Sequence, residues 1–162
     1  MSGRKSSTSS DRQRCFDAAS RYLAYRPRSV FEVKTRLRQR GFDPPTIEAV
    51  LQELRRNGSL DDLAFARFWR DNRDSFSPRS GLLLSRELRA KGVPKGVASE
   101  VVSGLDEDES AYRAAVKRAK RLDCTDFADF RARLSPFLRR RGFSYQVIEH
   151  TVRRLWDEFS VP

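Results

Sequence analysis

The stretch Leu37-Arg38-Gln39-Arg40-Gly41-Phe42 reads as the end of a helix followed at once by a change of direction. Leu37 is an apolar anchor in the last turn. The two arginines stand where the negative end of a helix favours cations. Glycine takes the left-handed conformation without a Cβ penalty, and the apolar residue after it folds back as the contact of the cap. The pattern recurs as Leu88-Arg89-Ala90-Lys91-Gly92-Val93, 51 positions on, and as Leu138-Arg139-Arg140-Arg141-Gly142-Phe143, 101 positions on. Downstream anchors keep register. Ile47, Leu51 and Leu54 correspond to Ile148, Val152 and Leu155, while Val97 and Val101 follow the middle copy after one lost residue. Three copies at a period of about 50 residues mark a helical array. The fold class is all-α, three tandem three-helix repeats.

Punctuation along the chain supports this reading. Ser29-x-x-Glu32 is a capping box ahead of Val30, Val33 and Leu37. Asp43 with Pro44 and Pro45 opens a helix whose Ile47, Val50, Leu51 and Leu54 form one stripe up to Gly58. Ser59-x-x-Asp62 precedes Phe65, Phe68 and Trp69; Ser77-Pro78 is expected to open a helix running to Gly92, and Pro94 a short one ending near Gly104. The acidic run Asp106–Glu109 suits the positive end of a helix bearing Tyr112, Ala115, Ala119 and Leu122. Thr125 is expected to cap the next helix, and Pro136 to kink or break it. Ser144 opens the last, with Ile148, Val152 and Leu155 inward. No alternating strand pattern bounded by tight turns occurs. The expected organisation is a flexible basic tail over residues 1–10, then repeats over 11–58, 59–105 and 106–162.

The 162 residues carry a formal charge of +11, with only 38% hydrophobic and 34% charged residues. That balance favours several small cores over one deep one, and an anionic partner such as nucleic acid or a nucleoprotein. Arginine supplies 27 of the 33 basic residues, a bias that base composition alone also produces. Cys15 and Cys124 stand far apart and, with His150, cannot make up a four-ligand zinc site, so neither metal nor cofactor is expected. No stretch approaches a membrane span or a secretory signal, and the reading is cytoplasmic.

The candidate binding residues are cations. At about 100° per residue Arg79, Arg86 and Arg89 fall opposite Leu84 and Leu88. Arg113, Lys117 and Lys120 form a second row away from Ala115 and Ala119, while Arg38 and Arg40 flank the first glycine turn as Arg139 and Arg140 flank the third. Such rows can track phosphates or carboxylates through the bidentate guanidinium, or else form a solvated face. Tyr22, Tyr25, Phe76 and Tyr145 are the aromatics that could stack on bases. No nucleophile motif or phosphate loop accompanies them, and Asp61 and Asp62 suit a helix cap better than a nuclease site. Binding is expected, and no catalysis.

Four stretches together resemble the RecX family of recombinase regulators. They are Pro27-Arg28-Ser29 leading into Leu37–Phe42, Leu60-Asp61-Asp62 with Phe65-Ala66, Glu87–Val93, and Arg141–Ser144 with Ile148. The likeness runs from about residue 12 to 156. It implies an elongated, curved monomer that lodges in the helical groove of the RecA filament on single-stranded DNA. There it restrains strand exchange, ATP hydrolysis and filament growth. The chain departs from the family pattern at Pro136 and at Val93, where the other two turns carry phenylalanine. The alternative is a helix-turn-helix-like protein that binds duplex DNA directly, which +11 charge and a three-helix unit would also suit.

Overall fold

The computed structural model describes residues 3–160, with side chains from residue 8 onward. Among them are nine helices and no strand: α1 (Gly3–Tyr25), α2 (Val30–Gln39), α3 (Pro44–Arg56), α4 (Asp62–Phe76), α5 (Gly81–Ala90), α6 (Lys95–Val102), α7 (Glu107–Ala119), α8 (Phe127–Arg140) and α9 (Tyr145–Phe159). They fall into three successive triplets. The second helix of each triplet ends at one of the three repeated glycine turns.

Those turns have one hydrogen-bond pattern. The amide of the residue after glycine reaches back to the leucine carbonyl: Phe42 to Leu37 at 3.3 Å, Val93 to Leu88 at 3.0 Å and Phe143 to Leu138 at 3.3 Å. The glycine amide bonds the carbonyl three residues earlier, at 2.9 Å in each of Gly41, Gly92 and Gly142. This is the two-bond left-handed cap that satisfies the last carbonyls of a helix. It requires the positive φ of 86°, 79° and 86° that these glycines adopt.

The helix starts are capped as the sequence suggests at Ser29, Asp43, Asp106 and Ser144, each accepting a bond from an amide three residues on. Elsewhere the cap moves. Of the two starts read for α4, Asp61 and not Ser59 is the cap, with Oδ1 accepting from the Leu63 and Ala64 amides at 2.8 and 3.2 Å. Ser80 caps α5 by accepting from the Leu83 amide, so the helix begins after Ser77-Pro78 instead of at it. Asp126, adjacent to Thr125, caps α8. Carboxylates outrank a neighbouring hydroxyl here because the acceptor is charged.

Two expectations are corrected. Residues 3–10 belong to α1, while Met1 and Ser2 lie outside the described residues. No proline or internal glycine interrupts the segment, so a helix anchored through buried Cys15, Ala18 and Ala19 propagates toward the N-terminus. Nor does Pro136 break α8, which is continuous from Phe127 to Arg140. Phe130, Leu134 and Leu138 are buried in a stripe that pins the helix on both sides of it, while Pro136 itself is exposed. The proline still removes one intrahelical bond. Pro136→Ala should therefore raise the unfolding free energy by about 1–3 kcal/mol. Urea denaturation reads this directly, and an unchanged midpoint would show that the lost bond is compensated locally.

The chain divides into two compact units, one holding the chain as far as Phe68 with Leu88–Ala98, the other Trp69–Glu87 with Ser99 onward. In the first, α1, α2 and α3 close around Cys15, Ala18, Ala19, Val33, Leu37, Ile47, Val50, Leu51 and Leu54. In the second, α7, α8 and α9 close around Ala111, Ala115, Ala119, Phe130, Leu134, Leu138, Phe143, Ile148, Val152 and Leu155. Small residues along α7 let the larger side chains of α8 and α9 fill the space between helices.

Candidate basic interface

The ten cations singled out by the sequence separate into two kinds. Arg38, Arg40, Arg86, Arg89, Lys117, Lys120, Arg139 and Arg140 are exposed, and no ion pair engages any of them among the described residues. Lys120 rests its ammonium 5.7 Å from the Phe159 ring. Arg139 lines a cleft of about 390 Å³ with Arg131, Pro136 and exposed Tyr145.

The other two are engaged internally. Arg113 reaches Asp74 at 2.5 Å. Arg79 precedes α5 and turns inward onto the Glu87 carboxylate, so it does not share the outward row of Arg86 and Arg89. Glu87 also accepts from Trp69 Nε1 at 2.9 Å and from Arg73 Nε at 3.0 Å. Spacing at 100° per residue cannot anticipate Arg79, because the residue lies outside the helix. Of the aromatics, Tyr25, Phe76 and Tyr145 are exposed, while Tyr22 packs on the first core with the Arg28 guanidinium 4.1 Å from its ring centre.

The acidic run at α7 is used structurally. Asp106 caps the helix, Asp108 meets His150 at 3.0 Å, and Glu109 meets Arg154 at 3.3 Å. The cysteines are held as thiols. Burial, with a smaller push from Asp43, raises Cys15 to about 11, and burial followed by Asp129 raises Cys124.

Sequence reasoning did not identify the joints that cover two of the glycine turns. The tripeptide Pro27-Arg28-Ser29 recurs as Pro78-Arg79-Ser80, at the same 51-residue offset as the first two turns. Each copy sits not on the glycine turn of its own repeat but on that of the next, the first on Gly92 and the second on Gly142. Ser29 is fully buried; its Oγ accepts from the Glu32 amide and donates to the Lys91 carbonyl at 2.6 Å. Ser80 donates its amide to the Arg141 carbonyl at 3.0 Å. The cation before each glycine is held as well. Lys91 Nζ lies 3.5 Å from Glu32, and Arg141 donates to Ser77 Oγ at 2.6 Å and more distantly to the Pro78 carbonyl. Burial, followed by the charges of Arg79 and Arg73, disfavours the protonated form of Arg141.

Glu32 is the charged centre of the first joint. Burial alone would raise its carboxyl; the hydrogen bonds from Arg26 and the Ser29 amide, with the charges of Arg26 and Lys91, hold it below the usual range instead. The unfolded chain therefore takes up this proton first as pH falls. The stabilisation is complete above the ordinary carboxylate range and disappears as pH drops through the depressed folded value. Glu32→Gln should cost about 1–3 kcal/mol at pH 7. It should also flatten the loss of stability between neutral and acid pH, measured by urea unfolding across that range. A variant whose acid slope matched the parent would remove Glu32 from this role.

The fold defines an all-α protein built from tandem three-helix units, each carrying a basic glycine turn. The RecX first three-helix domain matches residues 15–54 and the RecX third three-helix domain matches residues 106–152. Regulatory protein RecX of Prosthecochloris aestuarii is 36% identical, covering 90% of this chain and 96% of its own. That of Chlorobium limicola is 33% identical, covering 86% and 87%. The crystal structure of RecX from Lactobacillus salivarius superposes with a TM-score of 0.79 at 21% identity, over 91% of this chain and 97% of its own. The chain belongs to the RecX family.

Proposed function

We propose that the chain binds the RecA recombinase filament on single-stranded DNA within its helical groove and restrains strand exchange, ATP hydrolysis and filament growth during recombination and repair. It acts as a monomer in the cytoplasm and catalyses nothing itself. One observation carries the reading beyond family membership. The second position of all three glycine turns, Arg38, Arg89 and Arg139, is an exposed arginine without an ion pair among the described residues. Each stands at the C-terminal end of a helix that is capped and packed, so its guanidinium is presented from a rigid base. A guanidinium repeated at every turn suits a partner rich in carboxylates or phosphates, and its planar fork can take either in a bidentate way.

The combined variant Arg38→Glu, Arg89→Glu, Arg139→Glu should retain the helical fold and lose at least about tenfold in apparent affinity for the filament, equivalent to roughly 1.4 kcal/mol. The measurement is recombinase ATP hydrolysis on single-stranded DNA at substoichiometric protein. Equal inhibition by parent and variant would overturn the role given to these arginines. Binding to bare duplex without recombinase, with steep salt dependence, would favour the helix-turn-helix alternative.

A further inference from the structure

The inter-repeat joint occurs twice with both halves present and once with only one half. A Cβ built on Gly92 would strike Phe31, and one on Gly142 would strike Ser80 and Leu83; around Gly41 nothing among the described residues lies within 4 Å. Among the described residues the first glycine turn is thus an uncovered copy of a surface that is covered in the other two. Its cation before glycine, Arg40, is exposed, where Lys91 and Arg141 are held. Arg36 and Arg38 lie beside it in the last turn of α2.

Among the described residues no half-joint is left over to cover this turn in a second copy. Ser29 and Ser80 are engaged, and Phe130 stands twelve residues before Gly142, where a third Pro-Arg-Ser would supply its serine. Phe130 is buried inside α8. A head-to-tail contact between copies therefore lacks its cap side.

We propose that the Arg40–Gly41 turn is a docking surface for a partner protein, and that it takes an exposed helix start shaped like the segment seated on Gly92. That segment offers a hydroxyl or amide donor for the last carbonyl, a carboxylate for the cation before glycine, and an apolar side chain against the glycine itself. Ser29, Glu32 and Phe31 supply these three in the covered copy. The net charge of Arg36, Arg38 and Arg40 selects an acidic surface around the docked helix start. The identity of the partner rests on the recombinase reading above; the shape and chemistry of the surface do not.

Gly41→Asn tests the surface, because asparagine tolerates the left-handed backbone and adds a side chain where the partner would sit. Gly58→Asn is its control, since Gly58 has a φ of 78° and equally open surroundings but closes a different turn. Matching thermal midpoints for the two establish that both fold. Capture of full-length protein on recombinase filaments should then fall about tenfold for Gly41→Asn and for Arg40→Glu, and stay at the parental level for Gly58→Asn. Binding to bare single-stranded DNA should not change. Equal capture by Gly41→Asn and Gly58→Asn, or a parallel loss on bare DNA, would overturn the proposal, the latter by making the turn a phosphate contact.

If the parent chain does not engage filaments at all, the recombinase reading fails and a second measurement decides the surface alone. The peptide spanning Arg26–Arg38 is titrated to millimolar concentration into the ¹⁵N-labelled full chain. Amide shifts over Arg38–Phe42, abolished by Ser29→Ala with Glu32→Gln in the peptide, are expected. Their absence, or shifts spread over every basic helix end, would overturn the docking surface.

Discussion

Gly92→Ala and Gly142→Ala are expected to destabilise the protein by about 3 kcal/mol or more each, against about 1–2 kcal/mol for Gly41→Ala or Gly58→Ala. All four glycines hold φ between 78° and 86°, so the strain of giving an L-residue that backbone is common to them. The difference comes from what surrounds each turn. At Gly92 the new methyl meets Cβ and Cγ of Phe31, and a Cβ is fixed to its own backbone, so rotation of the ring brings no relief. At Gly142 it meets Ser80 Oγ, which is committed to the Leu83 amide, and lies 2.9 Å from Leu83 Cβ. Relief at either site requires the start of α2 or α5 to move off the turn. Loss of the joint would then expose the Ser29 hydroxyl or the Ser80 amide bond to competition from water.

Urea unfolding of the four alanine variants separates the two contributions, with the open pair reporting backbone strain alone. Four equal losses would mean that the joints yield without cost, and the packing of successive repeats would have to be sought elsewhere. A larger loss at Gly92 and Gly142 would make the glycine turn a two-sided element: it ends one helix and receives the beginning of another from the preceding repeat.

That second side explains what the sequence did and did not disclose. Caps and glycine turns obey rules that span three to six residues, so Ser29, Asp43, Asp106, Ser144 and the three turns were legible directly. The fate of each cation was not, because it depends on an acceptor brought near by the fold. Arg113 finds Asp74 from 39 positions away and Arg141 finds Ser77 from 64. Arg38, with the same local pattern, makes no ion pair among the described residues, its charge reaching Glu48 only at longer range. Helical periodicity gives the side of a helix a residue occupies, but not whether another element lies there. Pro136 failed as a breaker for a related reason: buried anchors on both sides outweigh one missing bond. The repeated Pro-Arg-Ser was visible as a string, yet its meaning lies in the turn that it covers one repeat later.

Glu87→Ala should cost about 2–4 kcal/mol, the largest effect expected of any single charged side chain here. The carboxylate is only 15% exposed and is the common acceptor for Trp69, Arg73 and Arg79. Without it, two guanidiniums of 28% and 27% exposure lose their counter-charge, and the indole N–H loses its acceptor. Arg141 adds a third cation whose protonated form burial, and then Arg79 and Arg73, already disfavour. Glu87→Gln keeps an acceptor oxygen but no charge, so it should fall between parent and alanine. If repulsion among the arginines is the main cost, Arg79→Met in the Glu87→Ala background should recover part of the loss, although it destabilises the parent. If the indole bond is the main cost, glutamine should restore most of the stability and Arg79→Met none. Loss of less than about 0.5 kcal/mol in Glu87→Ala would show that solvent already satisfies these groups. Arg38, Arg89 and Arg139 make no hydrogen bond or ion pair with Glu87 among the described residues. A stable Glu87→Gln protein should therefore hold parental filament affinity, which separates the arginines that build this part of the fold from those that face a partner.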